Sequence, residues 1–543
     1  MMINKESSSD PPNPRRYFNL VLVGPVDSGK SLLGGCLIRY CRGITESELN
    51  SICNRFGYYY RDRYLAMYED EFGGNTHHVN VKRSIYTPNN RSFTIIDTPG
   101  HYQLLGNLIS GLFLGDVCLL VVNPTDGYFE HDLPCLRRQI LLLRTMGFKE
   151  SQLVVCLNRM DQCYYSQTRY EETTQEVIKL LKRVGYHDVD QIPFIPVSAY
   201  RYDNLLNHDD KDTTLAPTRM EWYSGKSLIE TLDSLNLKHP SEVRSCEALK
   251  DMSSSSRQLR MPIRRVYNFN DGRRILCGKV VTGMLRVGMK VRIPLSNGSF
   301  MEQQVKSIQV FHEERETAFP SELAAINIGS GTQDGYSASS LTFKTLSIHR
   351  NDEMNKLTRQ KDRPCVNSGF IVSEASESYG CNGSLFVDSF EAQIKVLLLD
   401  CSYSLSTSTT TNNEIITCGY EAIVDCGLAH IRCQFEELIG VLEKGNLSKM
   451  ISLEPLNSLQ RGDFAFVKLV PKTQMQVESF FTCPSLGRIV IRAGCQQIVA
   501  VGRITRVHRR NSDLYTLFAF KFSKFVKEHT TTHLRDITVK CQH

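Results

Sequence analysis

A glycine-containing segment that begins at Gly24 has the residue types needed to bind phosphate. Residues 24–31 read Gly-Pro-Val-Asp-Ser-Gly-Lys-Ser, which fits the pattern GxxxxGKS. In such a loop, backbone N–H groups turn towards phosphates, Lys30 places a positive charge on the β and γ phosphates, and Ser31 offers a magnesium ligand. A second Gly-Lys-Ser, at residues 225–227, lacks the upstream glycine and is interpreted as a chance match. We predict phosphate contacts from Gly24, Asp27, Ser28, Gly29, Lys30, Ser31 and Leu32.

A second group of reactive residues ends the apolar run FTIID, where the sequence reads Asp-Thr-Pro-Gly-His at residues 97–101. A carboxylate at the end of a strand can face bound magnesium, and a flexible glycine N–H can meet a γ-phosphate. We predict these two roles for Asp97 and Gly100. The imidazole of His101 could position an attacking water, so His101 is the predicted catalytic residue. The alternative interpretation of this segment is an ordinary turn.

Two later segments have the chemistry to bind guanine. Asn-Arg-Met-Asp at residues 158–161 follows the apolar run QLVVCL, and a carboxylate there can accept hydrogen bonds from guanine N1–H and its exocyclic amine. Adenine does not offer that pair of donors. Ser-Ala-Tyr at residues 198–200 follows FIPV and places a backbone N–H near guanine O6. The order of the four segments predicts GTP and GDP as ligands, with base contacts from Asn158, Arg159, Asp161, Ser198, Ala199 and Tyr200.

The surrounding pattern predicts the elements that position these residues. Short Val/Ile/Leu runs alternate with longer helix-like stretches over residues 17–245, which is typical of an α/β domain with a parallel sheet. After the Ser-rich linker 246–258, alternating apolar and polar residues with glycine turns predict two antiparallel β-barrel domains, at 259–376 and 387–507. Residues 1–16 are expected to be a disordered polar segment, and 508–543 a C-terminal tail. The Ser/Thr-rich tract 402–414 is predicted to be a loop insertion.

The composition fits a folded chain, with 543 residues, 41% of them apolar and 22% charged. No stretch approaches the roughly 18 apolar residues of a membrane span, so we expect a cytoplasmic protein with no membrane partner. The 18 cysteines form no CxxC pair, which disfavours a zinc site. A net charge of +6 over this length neither requires nor excludes a nucleic-acid partner.

The order GPVDSGKS, DTPGH, NRMD and SAY resembles the GTPase domain of translation factors. Longer stretches narrow the resemblance to eukaryotic elongation factor 1-alpha, among them YSQTRYEE (165–172), GYEAIVDCGLAHIRCQFEEL (419–438), PSLGR (484–488) and IVAVGRI (498–504). The resemblance covers about residues 17–507. It implies a magnesium-dependent GTPase that, in its GTP form, binds aminoacyl-tRNA and delivers it to the ribosome. A guanine-nucleotide exchange factor and a monomeric state are further expectations.

Two alternatives of different kinds stay open at this point. Release-factor and ribosome-rescue GTPases share the architecture and bind a protein in place of aminoacyl-tRNA. A divergent paralogue could instead use GTP binding for regulation and hydrolyse it weakly.

The chain departs from the family pattern before the DTPGH segment, where members usually carry a run like RERGITID. The matching stretch here is Glu-Phe-Gly-Gly-Asn-Thr-His-His at residues 71–78. The resemblance implies that Thr76 is a magnesium ligand beside Ser31 and Asp97. Asn75 replaces an isoleucine that screens the catalytic histidine, so the apolar gate with Val26 is predicted to be incomplete. Thr45, in a verbatim RGIT, is an alternative ligand that we expect to lie remote from the ion.

Overall fold

The computed structural model describes residues 16–41, 43–45, 47, 50, 80–88, 91–206, 219–237, 258–269, 273–311, 313–328, 365–375, 386–399, 416–443, 446–450, 458–494 and 497–509. Thr76, Asn75 and the tract 402–414 lie outside these residues.

The first domain is a six-stranded sheet with helices on both faces. Its strands are β1 (Arg16–Val23), β2 (Asn80–Tyr86), β3 (Arg91–Asp97), β4 (Val117–Val122), β5 (Leu153–Leu157) and β6 (Phe194–Pro196), in the order β2-β3-β1-β4-β5-β6. Its helices are α1 (Lys30–Tyr40), α2 (Leu105–Leu114), α3 (Tyr128–Met146), α4 (Gln167–Val184) and α5 (Leu228–Ser234). Strands β1 and β3 to β6 are parallel. Strand β2 departs from the predicted parallel sheet because a short turn joins it to β3, and a short turn can connect only antiparallel neighbours.

The alternation of side chains along β1 divides the core of this domain. Leu20 and Leu22 pack against α1 and α5, whereas Val21 and Val23 pack against α2, α3 and α4 on the other face. Both faces are therefore apolar, as expected for a parallel sheet covered by helices.

The second domain is a curled antiparallel sheet. Its strands are β7 (Met261–Asn268), β8 (Arg274–Lys279), β9 (Leu285–Arg286), β10 (Lys290–Pro294), β11 (Phe300–Gln304), β12 (Ser307–Val310), β13 (Glu313–Arg315), β14 (Thr317–Ala318), β15 (Leu323–Asn327) and β16 (Ile371–Glu374). Eight of them pair in the order β11-β10-β16-β7-β8-β15-β12-β13, and β9 pairs with β14. Buried and partly exposed residues alternate along β12 and β15, so one face of the sheet forms the core.

The third domain is a closed barrel. Its elements are β17 (Val387–Leu399), β18 (Glu421–Cys426), β19 (Ala429–Glu443), β20 (Asn446–Met450), β21 (Phe464–Pro471), α6 (Pro484–Gly487), β22 (Arg488–Ala493) and β23 (Gln497–Arg509). The order β18-β22-β23-β17-β21-β19 closes into six strands because β18 also pairs with β19. The predicted class, an α/β domain followed by two antiparallel β-barrel domains, is confirmed.

Two strand ends lie slightly beyond the predicted domain limits. Strand β1 begins at Arg16, where its pairing with Arg91 starts. Strand β23 continues to Arg509, which pairs with Val387. In the part of the chain that the structure describes, no helix is long and apolar enough to cross a membrane.

Candidate nucleotide-binding site

The glycine-containing loop connects β1 to α1 and brings backbone N–H groups to the N-terminus of that helix. Gly29 has φ +87°, in the left-handed region that glycine adopts without strain. A Cβ atom on Gly29 would lie 2.3 Å from Asn158 Nδ2, and one on Gly24 would lie 2.2 Å from the Val121 carbonyl oxygen. Both glycines are therefore required for the close packing of this loop against the sheet.

The Lys30 ammonium lies inside the loop. Its Nζ donates hydrogen bonds to the carbonyl oxygens of Gly24, at 2.8 Å, and Pro25, at 2.5 Å. Burial lowers the pKa of Lys30, and the nearby Asp97 carboxylate opposes that shift. A phosphate oxygen in this loop would give the buried ammonium a counter-charge at close range.

Two of the three predicted magnesium ligands lie together. Ser31 Oγ donates to Asp97 Oδ2 at 3.3 Å, so a hydroxyl at the start of α1 and a carboxylate oxygen at the end of β3 face each other. Hard oxygen ligands of this kind suit Mg²⁺. Thr76 falls outside the described residues, and the assignment of Thr45 as remote from the ion stays a prediction.

The Asp-Thr-Pro-Gly-His loop packs against the glycine-containing loop. Thr98 Oγ1 donates to the Leu22 carbonyl oxygen at 2.6 Å, and a Cβ atom on Gly100 would lie 2.7 Å from Val26 N and 2.8 Å from Lys30 Nζ. Gly100 thus lies where its N–H could meet a terminal phosphate. His101 is exposed, and its Nδ1 accepts a hydrogen bond from Gln103 N at 3.3 Å, which caps the single helical turn leading into α2.

The side-chain amide of Asn158 joins three of the predicted segments, by donating one hydrogen bond and accepting another. Its Nδ2 donates to the Ser28 carbonyl oxygen at 3.0 Å, and its Oδ1 accepts from Ala199 N at 3.0 Å. Asp161 Oδ1 accepts from Ser198 Oγ at 2.5 Å, which fixes the carboxylate beside the loop after β6. Residues of the predicted phosphate and guanine segments therefore meet at the carboxyl ends of β1, β5 and β6, where open α/β sheets bind ligands.

Arg159 and Tyr200 border this network. Arg159 has φ +68° and its guanidinium Nη1 lies 3.4 Å from Gln162 Oε1. Tyr200 is exposed, and the Arg201 guanidinium lies over its ring at 5.3 Å. Leu32 is partly buried in α1. Their predicted contacts with nucleotide stay predictions.

Sequence reasoning missed several residues that support the site. Tyr165 OH donates to Asp203 Oδ2 at 2.8 Å, and Asp203 pairs with the backbone of Ser198. Trp222 Nε1 donates to the Tyr165 carbonyl oxygen at 2.9 Å. The stretch YSQTRYEE contains Tyr165, but it indicated only the resemblance to the family and not the role of this residue.

Helix α3 also contributes to the phosphate end of the site. Cys135 Sγ lies 3.9 Å from the Gly100 carbonyl oxygen. Asp132 is close enough to Lys30 for the two charges to interact, and burial raises the pKa of this carboxyl. No sequence signal could place these residues because the contact is purely tertiary.

A cavity of about 220 Å³ lies at the junction of the three domains, lined in part by Asp116, Lys279 and Arg488. None of the predicted nucleotide contacts lines it. The Lys279 ammonium is neutralised there by the Asp116 carboxylate at 2.9 Å.

Comparison with known proteins is consistent with this geometry. Residues 15–238 match the model of the Elongation factor Tu GTP binding domain, and residues 406–505 match the GTP-eEF1A C-terminal domain-like family. The chain is 31% identical over 500 residues to elongation factor 1-alpha of Methanopyrus kandleri, covering 91% of this chain and 99% of that protein. It is 30% identical to elongation factor 1-alpha of Entamoeba histolytica, covering 92% and 97%.

Solved structures share the fold at low sequence identity. The Saccharomyces cerevisiae Ski7 GTPase-like domain bound to GTP matches with a TM-score of 0.61 and 16% identity, over 91% of this chain and 98% of that one. The elongation factor SelB of Methanococcus maripaludis matches with a TM-score of 0.53 and 15% identity, over 92% and 80%.

Proposed function

Because the chain belongs to the elongation factor 1-alpha family of translation GTPases, we propose that it binds GTP and GDP with Mg²⁺ and hydrolyses GTP. In its GTP form it binds aminoacyl-tRNA and delivers it to the ribosome in the cytoplasm. It works as a monomer whose GDP is released with the help of an exchange factor.

The hydrogen-bond network of Asn158 is the observation that carries this proposal. It ties the phosphate loop, through Ser28, to the base-reading segments, through Ala199. A ligand with its guanine base at Asp161 and its phosphates at Lys30 would lie along the whole length of this network. The Asp161 carboxylate has the two acceptors that guanine requires.

The residues at the phosphate end have different roles in the proposed hydrolysis. Lys30 would hold the β and γ phosphates, and Ser31, Thr76 and Asp97 would hold magnesium, which neutralises developing charge on the phosphates. Gly100 would donate its N–H to the γ-phosphate. His101 would position the attacking water, and positioning supplies most of the rate enhancement in this chemistry.

The experiment that tests the proposal is binding of aminoacyl-tRNA by the protein loaded with a non-hydrolysable GTP analogue or with GDP. We expect tight binding only in the GTP-analogue state. Equal binding in both states would reject delivery of tRNA. Binding of a release-factor-like protein in place of tRNA would identify a rescue-type factor.

A further inference from the structure

Helix α2 directly extends the loop that contains Gly100 and His101. His101 caps the helical turn Tyr102–Leu104, and α2 follows at Leu105. Because this turn runs directly into α2, a displacement of α2 would displace the loop. Whatever fixes α2 therefore also fixes the residues proposed to contact the γ-phosphate and the attacking water.

A side-chain cluster of the third domain contacts α2. His430 Nε2 lies 2.7 Å from Ser110 Oγ, and His430 Nδ1 lies 2.6 Å from Asp425 Oδ1. Arg492 holds the same carboxylate with two bonds, from Nε at 2.7 Å and from Nη2 at 3.1 Å. Asp425 is only 1% exposed, so this ion pair is a fixed part of the barrel.

The cluster sets the role of each atom at the contact. An ionised carboxylate only accepts, so Asp425 requires a hydrogen on His430 Nδ1. In the neutral ring, Nε2 is then an acceptor and Ser110 Oγ donates to it. With that tautomer, the hydrogen bond is donated by the first domain and accepted by the third.

A second contact lies one helical turn earlier on the same face of α2. A Cβ atom on Gly106 would lie 2.9 Å from Arg492 Nη2 and 3.7 Å from His430 Cε1. Gly106 and Ser110 are four residues apart and so share one face of the helix. The barrel thus touches α2 both at its first turn, next to the loop, and at its middle.

We propose that His430 is a positioning residue for GTP hydrolysis, acting from the third domain through Ser110 and α2 on the loop at Gly100 and His101. The catalytic part of this proposal rests on the proposed function. The positional part rests on the contacts alone.

The test compares Ser110→Ala, His430→Ala and the double variant with Arg488→Gln as a matched control. Arg488 also joins the third domain to the first, since its Nη1 lies 3.4 Å from the Thr145 carbonyl oxygen. Thr145 lies at the C-terminal end of α3, far along the helix from Cys135, the α3 residue next to Gly100. Ser110→Thr keeps the hydroxyl, so this variant should behave like the unmodified protein.

Hydrogen exchange of the full chain, measured without added GTP, reports on the loop itself. We expect Ser110→Ala and His430→Ala to speed exchange of the amides of residues 100–110 by about tenfold, as for loss of one hydrogen bond. The double variant should match His430→Ala, because that substitution already removes the bond to Ser110. Unchanged exchange, or equal loosening in Arg488→Gln, would overturn the proposal.

Single-turnover hydrolysis and the ratio of GTP-analogue to GDP affinity report on catalysis. We expect Ser110→Ala and His430→Ala to lower both, with GDP affinity itself unchanged, and Arg488→Gln to lower neither. Looser exchange with unaltered hydrolysis would reject the catalytic part. If the unmodified protein binds no GTP, the proposed function fails, while the exchange measurement still decides the positional part.

Discussion

The substitution Asp161→Asn tests the guanine assignment most directly. The Asp161 carboxylate is held through Oδ1 by Ser198 Oγ, and a hydroxyl can hold an amide equally well because it both donates and accepts. The substitution should therefore leave the local structure intact. It replaces one of the two acceptors that the proposal places against the base with a donor, which would oppose a donor of guanine.

The expected loss follows from the bonds affected. A hydrogen bond to a charged group contributes about 1.5–3 kcal/mol, and two opposed donors add to the cost, so the change should be about 2–4 kcal/mol. At roughly 1.4 kcal/mol per tenfold, GDP affinity should fall by roughly 30- to 700-fold. Xanthine carries a carbonyl oxygen in place of the exocyclic amine, so the introduced amide can donate to it. Xanthosine diphosphate should therefore bind the variant better than GDP.

Competition titrations with GDP, xanthosine diphosphate and ADP measure these effects. The control is Ser198→Ala, which removes the support of the carboxylate but leaves both acceptors, and should weaken GDP by about 1 kcal/mol with no preference for xanthine. If Asp161→Asn keeps GDP affinity within about threefold, the loss is too small for a charged hydrogen bond. Asp161 then does not bind the base. Equal affinity of the unmodified protein for ADP would reject guanine selectivity.

Four further outcomes are expected. His101→Ala should lower ribosome-stimulated single-turnover hydrolysis by roughly a hundredfold or more, and an unchanged rate would exclude this histidine from catalysis. Ser31→Ala should raise the Mg²⁺ concentration needed for nucleotide binding by at least roughly tenfold. If a Mg²⁺ titration of the variant gives the same required concentration as for the unmodified protein, Ser31 is not a magnesium ligand. Burial lowers the pKa of Lys30 and a bound triphosphate would raise it, so nucleotide binding at alkaline pH should take up a proton and weaken as the pH rises. Calorimetry in buffers of different ionisation enthalpy measures this proton uptake. Proton uptake that persists in Lys30→Met would show that another group titrates. Arg260→Met should destabilise the two β domains by about 2 kcal/mol in urea unfolding, because it removes one of the two arginines that pair with the buried Glu478 carboxylate, at 3.0 Å. A loss below about 1 kcal/mol would mean that Arg509 alone is sufficient to pair with Glu478.

The sequence predicted the strand ends that carry chemistry because a buried parallel strand reads as an uninterrupted apolar run. VCLLVV and LVVCL are of this kind, and polar residues directly follow the runs. Strand β2 was not predicted, since NVKRSIY is an edge strand with mixed polarity. The two-residue strands β9 and β14 are too short to show any periodicity.

Contacts between distant segments could not be predicted in the same way. Nothing in the spacing of Asn158 indicates that its amide bonds to both Ser28 and Ala199, because each bond depends on how the loops pack above the sheet. The pairing of Asp425, His430 and Arg492 depends on the closure of the third domain. Sequence patterns predict which groups are available, whereas tertiary packing decides which groups meet.

Contacts at two places on α2 couple both β domains to the loop that contains His101. Lys279 of the second domain donates to the carbonyl oxygens of Leu114, at 3.0 Å, and of Phe113 and Gly115, both at 3.3 Å, at the C-terminus of α2. A cation is favourable at this end of a helix because it meets unpaired carbonyl groups and the negative end of the dipole. Helix α2 is therefore held at its C-terminus by the second domain and on one face, through Ser110, by the third. Since the His101 loop lies at the other end of the same helix, it cannot shift along the helix axis without straining a contact with each β domain.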